Sequence, residues 1–231
     1  MAAAQPRTAQ WDDGWYLTNS LVMFDALGQG GLPAYVSRYL TIIRFKAPLI
    51  TVLPTPIYFV LGRHPRAAYL VNIASMALLF FALSAIAKRF RGGRTGPIAV
   101  FLAATMPLLY GLSHWFLVEY MLTTTVCFTV YLLLEALDRP SAKILFHLGV
   151  VCGLSVLLKV TFPVYVLLPV LYVLVRLTLD RQWSFRSATA FFAPLILLPL
   201  PWYTLNYQET IRRAVFIGFS KEAEAAYGAP F

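Results

Sequence analysis

Charge is scarce in this chain, and acidic charge is scarcest. Of 231 residues only 10 are Asp or Glu, against 19 Lys or Arg. Charged residues make up 13% of the whole, where a soluble domain carries about 25%. With 59% hydrophobic residues and a mean hydropathy of +0.69, this shortage excludes a water-soluble globular domain and indicates an integral membrane protein. Cysteine is nearly missing. Cys127 and Cys152 both sit inside apolar runs, with no metal or redox spacing, and read as inert buried thiols. There is no glycine-rich phosphate loop, no nucleophilic triad, no zinc spacing and no internal repeat. The first ten residues lack the apolar stretch of a signal peptide.

Long apolar runs are what the sequence does have. Six of them, at 67–87, 97–113, 119–137, 143–158, 162–179 and 187–205, span or nearly span a bilayer, which needs about 20 helical residues. The fold class is therefore all-α, a polytopic transmembrane bundle. Three apolar stretches before it, 14–28, 33–45 and 48–61, are too short or too proline-interrupted to cross. They read as helices lying on the membrane surface. This divides the chain into a head (1–66), a bundle (67–205) and a tail (206–231), whose segment Ser220–Ala226 starts a short helix.

The basic residues orient the bundle. The net charge of +9 comes from short loops, which excludes nucleic acid as the partner and fits membrane topology. Lys88, Arg89, Arg91 and Arg94 share one loop, Arg139 and Lys143 a second, and Arg176, Arg181 and Arg186 surround a third. All three follow odd-numbered spans, so the positive-inside rule places them in the cytoplasm. The head then lies outside with Glu119, Lys159 and the tail.

On that outer face the scarce acids stand out. Asp12 and Asp13 are adjacent in Trp11-Asp12-Asp13-Gly14-Trp15-Tyr16, although neighbouring carboxylates repel. Near them on the same face are Lys46, His114, Glu119, Lys159 and Asn206. Such a set suits a reaction on a phosphate-bearing lipid. Lysines neutralise phosphate oxygens, one carboxylate deprotonates an acceptor hydroxyl, and another holds a divalent metal against the phosphate. Each residue also has a plainer reading. Asp-Asp-Gly is good turn chemistry, Lys46 can snorkel at a helix end, Glu119 suits a helix N-terminus, and Lys159 can be an ordinary loop residue. His147, alone on an apolar run, reads as structural. The 13 Tyr and 5 Trp mostly anchor the interface.

The order of short motifs adds to this. The acidic pair is followed by Lys46-Ala47-Pro48-Leu49, and then by Ser113-His114-Trp115-Phe116-Leu117-Val118-Glu119 opening a span. Gly153-Leu154-Ser155-Val156-Leu157-Leu158-Lys159 and Pro201-Trp202-Tyr203-Thr204-Leu205-Asn206 come next. This series resembles the GT-C membrane glycosyltransferases of the protein-mannosyltransferase and aminoarabinose-transferase type, with Lys-Ala-Pro-Leu where that family has Lys-Pro-Pro-Leu. The resemblance implies a sugar transferred from a polyprenyl-phosphate donor to a lipid, glycan or protein hydroxyl. It gives Asp12 or Asp13 the role of catalytic base, and Lys46, Lys159 and His114 contacts to substrate or phosphate. Glu119 becomes the second acidic residue, acting through a divalent metal ion. It also implies a bacterial plasma membrane with the active face outside, and a chain shortened at both ends. A non-catalytic bundle, either transporter-like or a scaffold, and an inactive fragment remain as alternatives.

Overall fold

The computed structural model describes residues 11–219. In chain order its helices are α1 (Trp11–Thr41), α2 (Leu49–Val52), α3 (Thr55–Leu61), α4 (Pro65–Ala68), α5 (Leu70–Arg91) and α6 (Thr95–Thr105). They continue with α7 (Pro107–Ser113), α8 (Val118–Asp138), α9 (Ala142–Val156), α10 (Phe162–Leu179), α11 (Phe185–Leu197) and α12 (Leu200–Phe219). The described residues hold no strand, as the all-α reading expects.

The expected spans take three forms. Pro65–Phe90, Val118–Asp138 and Phe162–Leu179 are continuous helices, long and apolar enough to cross a membrane. Two others are broken. Proline at Pro107 ends α6 and turns α7 by 71°, and the proline-rich stretch around Pro199 bends α12 from α11 by 49°. With each bent pair counted as one span the total is five. The remaining run, 143–158, folds as α9, apolar but only 15 residues long. In the head, the break expected between 28 and 33 falls at Gly30–Gly31. There Gly31 adopts φ 64°, open to glycine but costly for a side chain, and Pro33 starts the next helical stretch. The 48–61 stretch is two short helices parted at Pro54.

Two hydrophobic clusters hold these helices. One joins α8 to α11 through Leu133, Leu148, Cys152, Phe162, Val173 and Phe191. Within it α9 lies directly on α11, because Gly149 and Gly153, four residues apart, leave room for its backbone. A Cβ on Gly153 would stand 2.6 Å from the Pro194 carbonyl. Gly96 serves α5 and α6 in the same way, facing Ser84 and Lys88. The second cluster crosses residue 66. Tyr16 and Leu17 of α1 and Ile50 and Tyr58 of α2 and α3 pack with Val71, Phe116, Met121 and Leu158 of the bundle. Arg89 and Asp138 pair at the far ends of α5 and α8.

Candidate active site

The site forms where helix ends meet. A helix leaves its last carbonyls without partners inside the helix, and here other segments supply them. The Leu40 carbonyl at the end of α1 accepts from Asn206 Nδ2 at 2.9 Å, and the Val156 carbonyl at the end of α9 accepts from the Tyr203 hydroxyl at 3.0 Å. Leu49 N–H donates to the Leu157 carbonyl at 3.0 Å. The Trp-Tyr-x-x-Asn motif is thus a double fastening that draws α12 onto the ends of α1 and α9, with Trp202 fully buried behind it. Fastening Leu49 to Leu157 brings the connector carrying Lys46 beside the turn carrying Lys159.

A second set of bonds fixes the loop before α8. Asn72 Nδ2 donates to the Ser113 and Trp115 carbonyls at 2.9 and 2.8 Å. Asp13, 1% exposed, accepts from the Phe116 N–H at 2.7 Å and from the Tyr69 hydroxyl at 3.0 Å. The loop therefore enters α8 in one conformation, with Glu119 in its first turn.

Between these struts lies a cavity of about 630 Å³. Asp12, Lys46, Glu119 and Lys159 all line it, together with Tyr16, Phe45, Tyr203, Thr210 and Arg213. Two lysine–carboxylate pairs face it: Lys46 Nζ lies 3.0 Å from Asp12 Oδ1, and Lys159 Nζ lies 2.9 Å from Glu119 Oε1. Lys46 also stands 5.2 Å from the Trp15 ring centre and 5.4 Å from that of Tyr16. All four pair members are part-exposed, so each pair contributes about 1 kcal/mol or less to stability. Weak pairs of this kind exchange partners readily when a stronger anion arrives. With Arg213, three basic and two acidic side chains line the cavity, a net charge of +1.

Tyr16 is buried between the two acidic groups. Burial first, and then the charges of Asp12 and Glu119, push its phenol above the ordinary tyrosine range. It stays neutral at physiological pH.

Four of the six expected site residues meet here, and two stand elsewhere. Asp13 is turned away from the cavity into its structural bonds. His114 is exposed, with Nδ1 2.7 Å from the Tyr110 carbonyl and its ring against that of Tyr110, and does not line the cavity. Glu119, expected to hold a divalent ion, holds Lys159. Among the described residues no group of three His, Cys, Asp or Glu side chains gathers as a metal site. The two carboxylates at the cavity already face lysines, a poor donor set for a metal.

The sequence reading missed Arg213 and Thr210, because it placed residues 206–231 in a tail. The signal was present: Tyr203, Asn206, Thr210 and Arg213 recur at intervals of three or four, one face of a helix. Arg213 lies 5.5 Å from the Phe45 ring and 5.3 Å from that of Phe216.

No curated protein and no solved structure matches the chain. Residues 46–203 match the dolichyl-phosphate-mannose-protein mannosyltransferase family. That stretch begins at Lys46, ends at Tyr203, and holds both lysines of the cavity and Glu119; Asp12 and Asp13 precede it. Most of the chain is covered, and it belongs to the dolichyl-phosphate-mannose-protein mannosyltransferase family, membrane glycosyltransferases of the GT-C type.

Proposed function

We propose that the protein transfers a sugar from a polyprenyl-phosphate donor to an acceptor hydroxyl on the non-cytoplasmic face of a cell membrane, and that the cavity between α1, α8 and α12 is where it does so. One observation carries this reading. Two weakly paired lysines and two carboxylates from four distant parts of the chain face one cavity with apolar walls at Val118, Leu158 and Val160.

The chemistry follows from the charges. A polyprenyl-phosphate sugar is a phosphodiester with one negative charge, matching the net charge of the lining. Its phosphate draws Lys46 and Lys159 from their carboxylates, since charge-assisted bonds to phosphate are stronger than exposed ion pairs. Moving Lys46 uncovers the Asp12 oxygen. The acceptor hydroxyl then gives its proton to Asp12 as its oxygen bonds to the anomeric carbon. The bond from that carbon to the phosphate oxygen breaks, and the electron pair leaves with polyprenyl phosphate. A single displacement inverts the anomeric centre. Charge on the departing phosphate grows along this path, so the lysines bind the transition state more tightly than the donor. Tyr16, a neutral phenol, is no nucleophile.

The test is the pair Asp12→Asn and Asp13→Asn, assayed in membranes with a radiolabelled polyprenyl-phosphate sugar. Asp12→Asn is expected to lower transfer by about a hundredfold or more. Unchanged transfer in both variants would sink the proposal. A cysteine in place of Arg91 should label only from the cytoplasmic side.

A further inference from the structure

Far from the cavity, a second concave surface lies between the first turns of α9 and α11. The groove holds about 480 Å³. Lys143 and Arg186, in the first turns of the two helices, line it together with Phe146, Ala190, Ala193 and Pro194. The two helices run parallel here, with Ser141 capping one and Ser184 the other. The other end of α9 reaches the Lys46 cavity, about 20 Å away along the helix.

Three observations define what fits. First, neither Lys143 nor Arg186 has an acidic partner among the described residues, unlike Lys46, Arg63, Arg89, Lys159 and Arg176. Topology explains why basic residues occupy this side of the bundle. It does not explain why two of them, from loops more than forty residues apart in sequence, meet unpaired at one groove. Cations in a helix's first turn do nothing for the helix either, since they oppose its dipole. Second, polarity changes in one direction. Along α11 the lining runs Arg186, Thr189, Ala190, Ala193, Pro194, one face of the helix passing from charged to apolar. Third, small side chains line the groove beside the close contact of α9 with α11. Gly149 and Gly153 set α9 against α11, and the small side chains of Ala190 and Ala193 leave the space above unfilled.

We propose that this groove binds an anionic phospholipid, with the phosphate between Lys143 and Arg186 and an acyl chain along Phe146, Ala190 and Ala193. Two unpaired cations at the wet end and an apolar trough at the other match the two halves of such a lipid. Lipid bound here bridges α9 and α11 from outside and adds to the stability of the pair.

The experiment uses the full chain in a neutral detergent. Its thermal unfolding midpoint is followed while palmitoyl-oleoyl phosphatidylglycerol, the matching phosphatidylcholine or inorganic phosphate is added. Phosphatidylglycerol is expected to raise the midpoint by several degrees, by preferential binding to the folded state. Phosphatidylcholine should do much less, and phosphate alone nothing. In the double variant Lys143→Gln/Arg186→Gln the titration should move to about thirtyfold higher lipid, at roughly 1 kcal/mol for each basic residue. Ala193→Phe, which keeps both charges and fills the trough, should weaken the response as well. Equal shifts with both lipids would overturn the proposal, as would a response reproduced by phosphate or kept intact in either variant. Asp12→Asn, at the other cavity, leaves this titration unchanged, so the two sites stand or fall separately.

Discussion

Asp13 accepts the backbone N–H of Phe116 across 103 residues of chain. Through that bond the first turn of α1 holds the loop that delivers Glu119 to the cavity. Its neighbour Asp12 points the other way, to Lys46. Two adjacent carboxylates therefore do different work, one inside the protein and one at its site.

Replacing Asp13 by Ala removes the acceptor of the buried Phe116 N–H. We expect a loss of about 2–3 kcal/mol, read as a lowered unfolding midpoint of the purified protein. Asp12→Ala, at a part-exposed pair, should cost about 1 kcal/mol or less. If the two variants were equally stable, the division of labour between these residues would be wrong.

Lys46→Gln and Lys159→Gln leave the fold nearly unchanged and act on the donor. Each removes one charge-assisted contact to phosphate, so kcat/KM for the donor should fall by about tenfold to a hundredfold. Steady-state transfer at varied donor concentration measures it. An effect confined to the acceptor would move these lysines off the phosphate.

Gly149→Ala and Gly153→Ala test the contact of α9 with α11. At Gly149 an added Cβ meets the Phe191 carbonyl, and at Gly153 it stands 2.6 Å from that of Pro194. Backbone cannot yield as a flexible side chain does, so a loss of about 1–3 kcal/mol is expected for each in thermal unfolding. Gly93→Ala, with nothing near its missing Cβ, is the control.

Tyr16 gives stability an alkaline limit. Its phenol is raised by burial, Asp12 and Glu119, so the folded chain holds this proton more tightly than the unfolded chain does. The contribution is complete below the unfolded value of about 10 and is lost as pH climbs beyond it. Unfolding free energies between about pH 9 and 11 should fall more steeply for the wild type than for Tyr16→Phe. Parallel slopes would show that Tyr16 does not titrate differently on folding.

Much of the fold was legible because a bilayer permits few solutions. Apolar runs located α8 and α10 to within one residue and α5 to within four, and Gly30–Gly31 marked the break in α1. Proline did not reveal by itself that the runs at 97–113 and 187–205 would bend, since a membrane helix can also carry proline within a continuous rod, as α10 does at Pro169. For the site, the order of motifs brought forward Asp12, Lys46, Glu119 and Lys159, which the fold unites. It could not separate Asp12 from Asp13, because residues one apart on a helix point about 100° away from each other and only the packed neighbours decide which faces solvent. Thr210 and Arg213 were missed for a different reason. Their stretch of α12 has too many polar residues to read as membrane, and a contact to Arg44 from Thr210 has no local signature.

The walls of the cavity run from Asp12 to Ala214. A chain inserted helix by helix builds the α8–α11 cluster from near neighbours in sequence, while the cavity waits for its last wall. Until α12 arrives, Leu40 and Val156 keep bare carbonyls and the two lysines face no enclosed space. Synthesis thus yields a packed bundle before it yields the cavity, which the Trp-Tyr-x-x-Asn segment closes.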